Sequence, residues 1–377
     1  MTLKFGGFLP PFHAIGEDPT TSLWSDMDLI QWLDELGLDE AWVGEHHSGG
    51  WSTISSPELF VAAAAERTRH IRLGTGVISL PYHHPYMVAE RMIQLDHQTR
   101  GRVSFGMGAG VHPSDAHMLG IAPSDQRRMM AESLDVVHHL VTSTERLSRK
   151  SDWFTLQDAA VHLRPYRKPG VELLVAGTGT ERSMRLAGRY GIAALTFAGM
   201  AGRQAAPLRT LWEAAEDEAA KYGRTVDRSS WRISICTHVA ETRKEAYDQV
   251  REGAKHWWYS YVKDTLDAPG TLPEGREVEA MVENRSAFVG SVDDVVEQIH
   301  GMIEDSGGFG TLLVTVQDWA SRQQIKNSFE LIARFVAPRF TGSVNSLRTS
   351  QTWAAEHRHD LAAKADEAAR QAAAKTS

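Results

Sequence analysis

Glu45-His46-His47 places a carboxylate and two imidazoles in succession at the end of the apolar run Ala41-Trp42-Val43. Ser48-Gly49-Gly50-Trp51 follows, beginning with small residues that can expose what precedes them. An apolar strand that stops in titratable groups is how a barrel enzyme offers an acid or base to a pocket. Histidine ordinarily titrates near neutral pH, so Glu45 and one of the histidines suit acid/base work at a pocket mouth. The same residues are equally consistent with a hydrogen-bonded histidine packed at a strand end. Successive strand residues point to opposite faces, so His46 and His47 cannot both grip one ion from a regular strand. With no HExxH motif and no cysteine pair, no metal site is expected.

Glycine marks the ends of two later apolar runs, Gly74-Thr75-Gly76-Val77 and Gly106-Met107-Gly108-Ala109-Gly110. A glycine there serves either tight barrel geometry or the close approach of a flat ligand. A dinucleotide fingerprint would need a glycine at position 111, which is Val111. Gly177-Thr178-Gly179-Thr180-Glu181-Arg182 opens a helix after another apolar run. Its backbone N–H groups, two hydroxyls and Arg182 could cradle a phosphate; the plainer alternative is a Thr180 N-cap. Asp115, in Val111-His112-Pro113-Ser114-Asp115-Ala116-His117, could sit above the same pocket, whereas His83-His84 look like surface positions without convergent partners.

The elements that must position these residues alternate strand and helix. Strands are expected at 3–9, 38–43, 71–78, 102–108, 172–176, 192–197, 231–239 and 311–316, with helices between them, among them 203–222 and 244–261. This pacing predicts a parallel sheet closed as a single (β/α)8 TIM barrel over 1–340. An insertion at about 142–170 carries a hairpin expected from Trp153-Phe154-Thr155-Leu156 and Val161-His162-Leu163. Residues 264–288, broken by Pro269, Gly270, Pro273 and Gly275, read as a mobile lid loop. Residues 341–377 form an alanine-rich helical tail with almost no apolar face, free either to dock or to fray.

Bulk composition narrows the class. The 377 residues are 42% hydrophobic and 23% charged with a net charge of −8, which does not suggest a nucleic-acid or anionic-membrane partner. A single cysteine, Cys236, excludes intrachain disulfides and fits a reducing cytosol. No apolar segment approaches the roughly 20 residues that span a bilayer, and the start carries no signal-peptide pattern. A cytoplasmic globular protein is expected.

Taken in order, Glu45-His46-His47, Leu73-Gly74-Thr75-Gly76, His84-Pro85, Leu95-Asp96 with Gly101-Arg102, the 177–182 loop, and His256-Trp257 with Tyr259-Ser260-Tyr261 resemble the bacterial luciferase-like flavin monooxygenases. Gly44 to Trp51, Pro113 to Gly120, Ser151 to Phe154 and Trp353-Ala354 are most similar to the limonene-monooxygenase-type branch. The resemblance implies reduced FMN, with FAD as the alternative, bound at the C-terminal strand ends and delivered by a separate NAD(P)H-dependent flavin reductase. It implies dioxygen as co-substrate, a flavin C4a-peroxide and oxygenation of an apolar substrate; the aromatic end at 257–261 with Phe12, Trp51, Met107 and Phe197 suggests a small apolar or terpenoid molecule, and a homodimer or higher homo-oligomer is expected.

Carried over by position, His46 matches the family's catalytic histidine and Glu45 the flavin-side carboxylate. Gly76-Val77 matches a non-proline cis peptide beneath the flavin ring. Gly108, Gly177, Thr178, Gly179 and Thr180 match cofactor-binding positions, and Thr196 and Phe197 match ring-packing ones. His47, Trp51, Met107 and Asp115 are expected in the substrate pocket. The chain also departs from the true luciferases, with Gly108 for a reactive cysteine, Ala109 for an arginine near the phosphate, and Gly177 for a carboxylate. Two alternatives share the barrel. Deazaflavin-dependent oxidoreductases typically carry Ser-Asp-His after the second strand and a glutamate after the fourth, unlike this chain. A non-catalytic flavin-binding subunit would not require His46, the phosphate loop and a lid together.

Overall fold

Parallel strands close into one barrel in the computed structural model, which describes residues 2–199 and 206–376. The strands are β1 (Lys4–Leu9), β2 (Glu40–Val43), β3 (Arg72–Ser79), β4 (Val103–Gly108), β5 (Leu147–Lys150), β6 (Thr155–Ala159), β7 (Glu172–Gly177), β8 (Ala193–Phe197), β9 (Trp231–Val239), β10 (Ala287–Gly290) and β11 (Thr311–Thr315). The barrel runs β1-β2-β3-β4-β7-β8-β9-β11 and returns to β1. These are the eight strands expected from the pacing, with boundaries moved by at most two residues. Helices α1 (Pro19–Glu35), α2 (Pro57–Arg67), α3 (Pro85–Gln98), α4 (Pro113–Met118), α5 (Gln126–Thr142), α6 (Glu181–Tyr190), α7 (Leu208–Lys221), α8 (Arg243–His256), α9 (Glu277–Glu283), α10 (Val292–Ser306) and α11 (Arg322–Leu331) lie along the chain between or after them.

Side-chain alternation splits the core into two layers. Phe8, Trp42, Leu174, Leu195 and Leu313 fill the lumen, while Phe5, Val43, Leu73, Phe105 and Val175 pack outward against the helices. Trp42 pairs in register with Gly74. A Cβ on Gly74 would stand 2.2 Å from the Trp42 ring, so the indole occupies the lumen because residue 74 has no side chain. The same alternation corrects one expectation. Met107 shares the outward phase of Val103 and Phe105, is fully buried in the sheet–helix layer, and does not line a substrate pocket.

Other boundaries shift for local reasons. The inserted two-stranded sheet pairs β5 with β6, so Trp153-Phe154 lie between its strands and 161–163 lie outside it. Glu132 fixes it by accepting hydrogen bonds from Ser151 Oγ and Trp153 Nε1, both at 2.9 Å. The irregular part of 264–288 is shorter than expected. A π-helical segment, Trp257–Thr265, extends α8; α9 then forms, and β10 pairs with the end of β9. The helix expected from 203 begins at Leu208, and residues 203–205 lie outside the described residues. A second π-helical segment, Ile332–Val336, and the short α12 (Pro338–Thr341) lead into α13 (Asn345–Thr376), whose described side chains are all exposed. Among the described residues, no helix is long and apolar enough to cross a membrane.

The N-terminal strand ends carry a buried ion network. Arg232 donates to Glu40 at 3.0 and 3.1 Å and to Glu172 at 2.9 and 3.0 Å. Arg72 and Ser104 also donate to Glu172, at 3.1 and 2.6 Å, and Trp42 Nε1 donates to Glu40 at 2.8 Å. Burial opposes ionisation of Glu172, yet the Arg232 charge and these hydrogen bonds pull its carboxyl down to about 2. A pKa held below the ordinary 4.5 stabilises the fold above that value, and the contribution disappears as pH falls toward about 2. Replacing Arg232 by Met leaves the buried Glu40 without its cation, while Glu172 keeps Arg72 and Ser104, and should cost about 3–5 kcal/mol at pH 7. Urea melts at pH 7 and pH 3 check this: the gap between variant and wild type should narrow at the lower pH, where the carboxylates begin to protonate.

Candidate active site

Beyond β2 the chain keeps alternating, which sorts the three titratable residues. Glu45 and His47 turn to one side and His46 to the other. The Glu45 side chain has no exposed surface. Its Oε1 accepts from His47 Nε2 and His83 Nε2, both at 2.8 Å, and its Oε2 from the Ser79 backbone N–H at 2.7 Å. Burial alone would raise the carboxyl, but the hydrogen bonds from His47, His83 and Ser79 and the His83 charge hold it below its ordinary value. The hydrogen bond to Glu45 in turn raises His47 above its ordinary value, against its partial burial. With both oxygens engaged inside the protein, Glu45 is a positioning residue that ties the β2 loop to the turn after β3. His83, which the sequence suggests is a surface position, is half-buried and belongs to this cluster.

His46 turns toward the loop after β4. Its ring stacks on His112, with centroids 4.1 Å apart and planes at 30°, and on Phe12 at 5.4 Å. His46 Nδ1 lies 3.8 Å from Asp115 Oδ2. Asp115 Oδ1 accepts from Ser48 Oγ and from the His47 backbone N–H at 3.2 Å. Burial works against the Asp115 anion, but the His46 and Ser48 contacts, the His112 charge and the His47 N–H bring its carboxyl down to about 2. Burial and the neighbouring His46 push His112 down to about 4, so it is neutral at pH 7. His112 Nε2 bonds the Tyr261 hydroxyl at 2.7 Å, joining the β4 loop to the π-helical segment. Trp51, Trp258, Tyr261 and Val262 form an apolar cluster beside this pair, with Phe12 packed against it. Gly49 and Gly50 take positive φ values of 82° and 74°, turning the chain from the histidines back to Trp51.

Adjoining this cluster, a cavity of about 630 Å³ is lined by Thr178, Gly179, Thr196, Phe197 and Trp258, with Gly270, Thr271 and Leu272 from the irregular segment. Glu45, His46, His47, His112 and Asp115 are not among the residues lining it; Trp258 belongs both to its wall and to the aromatic cluster. Thr180 is the N-cap of α6 and makes no side-chain cap bond, which leaves the helix N-terminus facing its loop. Gly177 is backed by Ser183 and could not carry a side chain, since a Cβ would stand 2.0 Å from Ser183 Oγ. Thr196 accepts from Trp231 Nε1 at 3.0 Å, and Phe197 packs on Phe8 at 4.9 Å. The Gly76-Val77 peptide is cis, and Gly108 faces Val77 closely enough that a Cβ would meet its side chain at 2.8 Å.

His112, Tyr261 and His83 are the members of this constellation that sequence reading did not single out. Tyr261 lies 149 residues from His112, so chain spacing carries no signal of their contact. The aromatic run 257–261 and the histidine inside the 111–117 stretch were the available cues.

Residues 3–308 match the family model described as luciferase-like monooxygenase. The chain is 51% identical over 362 residues to 4-hydroxyprotoasukamycin monooxygenase of Streptomyces nodosus subsp. asukaensis, covering 94% of this chain and 96% of that one. It is 43% identical to limonene 1,2-monooxygenase of Rhodococcus erythropolis, covering 91% and 88%. Among solved structures, the oxygenating constituent of 3,6-diketocamphane monooxygenase from Pseudomonas putida, a type II Baeyer-Villiger monooxygenase in complex with FMN, superposes with a TM-score of 0.76. It is 27% identical and covers 90% of this chain and 99% of that one. Deazaflavin-type neighbours also share the fold: an F420-dependent secondary alcohol dehydrogenase superposes with a TM-score of 0.67 at 20% identity, covering 89% and 99%.

Glu45 stabilises through an anion held below its ordinary 4.5 and a His47 cation held above its ordinary 6.5. The anion's share is lost as pH falls below that range and the cation's share as pH rises through the elevated His47 value. Glu45→Gln should therefore lower the melting temperature most between about pH 4.5 and 6.5. Ring NMR titration should find His47 shifted downward in the variant; an unmoved His47 would contradict the pairing.

Proposed function

The chain belongs to the luciferase-like monooxygenase family, and on that premise we propose that it oxygenates a small, largely apolar substrate using dioxygen and reduced FMN from a separate NAD(P)H-dependent flavin reductase. The observation that carries this reading is the placement of the 630 Å³ cavity against Thr178, Gly179, Thr196 and Phe197, sharing Trp258 with the aromatic cluster whose Tyr261 bonds His112. The donor set fits a flavin phosphate. The loop 177–180 is glycine-bearing, and the N-terminus of α6 has backbone N–H groups without a side-chain cap. Reduced flavin, when bound, supplies the electron pair that activates dioxygen.

This chain's own residues bind, orient and exclude water. Thr178, Gly179 and the α6 N-terminus hold the phosphate, and Phe197 and the Gly76-Val77 backbone present apolar contacts to a ring. Glu45 fixes His47 and His83, so that His46 is the group left to exchange a proton with substrate, at Nδ1 or Nε2. Lys263 donates to the carbonyls of Ala268 and Gly270 at 2.7 and 2.9 Å, pinning the segment whose Gly270, Thr271 and Leu272 roof the cavity. A roof of this kind keeps water from a reactive site. Relatives named for limonene and for diketocamphane support a small substrate with much apolar surface.

Titrating the protein with reduced FMN, oxidised FMN and a reduced deazaflavin tests the reading. Reduced FMN should bind preferentially and support dioxygen-dependent substrate loss; hydride transfer from deazaflavin without dioxygen would replace the proposal. His46→Ala should retain FMN binding and slow coupled turnover about 100-fold or more. Exchanging residues 267–274 for a short glycine-serine link should raise hydrogen peroxide release while FMN still binds, and unchanged coupling would remove the lid role.

A further inference from the structure

His46 and His112 each bury an Nδ1 atom that has no hydrogen-bond partner. His112 is 2% exposed and commits Nε2 to Tyr261. One ring nitrogen of each histidine and a carboxylate oxygen of Asp115 lie within 4.8 Å of one another. A buried polar atom without a partner is destabilising, so two side by side call for an occupant that satisfies them.

A metal ion fits this gap poorly. Two ligand atoms on tetrahedral zinc stand about 3.4 Å apart, whereas His46 Nδ1 and Asp115 Oδ2 are 3.8 Å apart. With the Tyr261 hydroxyl as donor to His112 Nε2, the neutral His112 ring carries its proton on Nδ1, which then has no lone pair to offer a metal. A single oxygen atom fits better, since at about 2.8 Å from both atoms it closes an angle of about 85°.

The polarity of the site selects among oxygen groups. Among the described residues the Tyr261 hydroxyl meets no acceptor other than His112 Nε2, so we assign the hydroxyl as the donor; the proton of the neutral ring then sits on Nδ1 and makes that atom a donor. Asp115 is an anion and only accepts. An occupant must therefore accept from one side and donate to the other, which a hydroxyl does and a ketone, an ether or a hydrocarbon does not. Phe12 packs on His46 and Tyr261, and Trp51 packs on Tyr261, so the surface beside the polar group is aromatic.

We propose that His46, His112 and Asp115 anchor one hydroxyl group of the substrate, which makes that substrate an alcohol or phenol with an apolar body and not a bare hydrocarbon. The proposal rests on the monooxygenase reading only in taking the occupant to be the substrate.

Calorimetric titration of the flavin-free protein with limonene, carveol and carveol methyl ether tests it, because the three share one carbon skeleton. Carveol should bind at least about 10-fold more tightly than either of the others, equivalent to about 1.4 kcal/mol. In the double variant His112→Phe/Tyr261→Phe, which leaves no orphaned hydroxyl, the three affinities should fall within about 2-fold of one another. Equal affinities in the wild type, undetectable binding of all three included, would overturn the proposal, as would an ether that matches the alcohol; both comparisons need no variant. A preference for carveol that survives in the double variant would overturn it too. FMN affinity measured on the same wild-type protein separates the two readings: failure to bind FMN removes the flavin assignment and leaves a hydroxyl preference standing.

Discussion

A carboxylate with no exposed surface is tolerated only when its lone pairs are met, and meeting them at Glu45 dictates much of the barrel rim. The Ser79 N–H comes from the end of β3, His83 from the turn that follows it, and His47 from the β2 loop itself. Three segments are thereby tied to one ionised group. Once His47 is committed to that side, strand alternation sends His46 the other way, toward His112 and Asp115. The division of labour between adjacent histidines thus follows from charge burial and backbone phase together.

A second polar clamp works beside the first. His13 donates to Asp26 and Asp318 at 2.9 and 3.0 Å, and these two carboxylates push its imidazole up to about 10 despite burial. It anchors the segment after β1, whose Phe12 bridges to Ser52 and lies over His46. The Glu45 and His13 clusters thus hold the segments that carry the imidazole pair, while the rings meet aromatic surface and the Asp115 carboxylate.

The sequence is legible where the signal is local. Apolar runs ending in glycine or in titratable residues mark the eight barrel strands, and Glu45-His46-His47 is visible as a strand terminus. What it does not disclose is convergence. His83 and Tyr261 reach the site by chain reversals whose geometry depends on the closed barrel, and no spacing rule ties 261 to 112. Met107 illustrates a different failure: its position at a strand end was readable, but its phase was not, and phase decides lumen against helix layer. The stretch 264–288 looked structureless because Pro269, Gly270, Pro273 and Gly275 interrupt it, although α9 and β10 occupy its second half. Family membership, by contrast, is carried by many weak motifs in a fixed order, which one sequence can display in full.

The lumen packing has one more consequence. Arg72, Arg232, Glu40 and Glu172 at one end of the barrel balance to no net charge, and the rim groups at the other end are separated from them by Phe8, Trp42, Leu174, Leu195 and Leu313. Those side chains form an apolar layer between the two ends. Apolar packing screens charge poorly, so it is the internal neutrality of the Arg72, Arg232, Glu40 and Glu172 network that keeps its field weak at the barrel mouth.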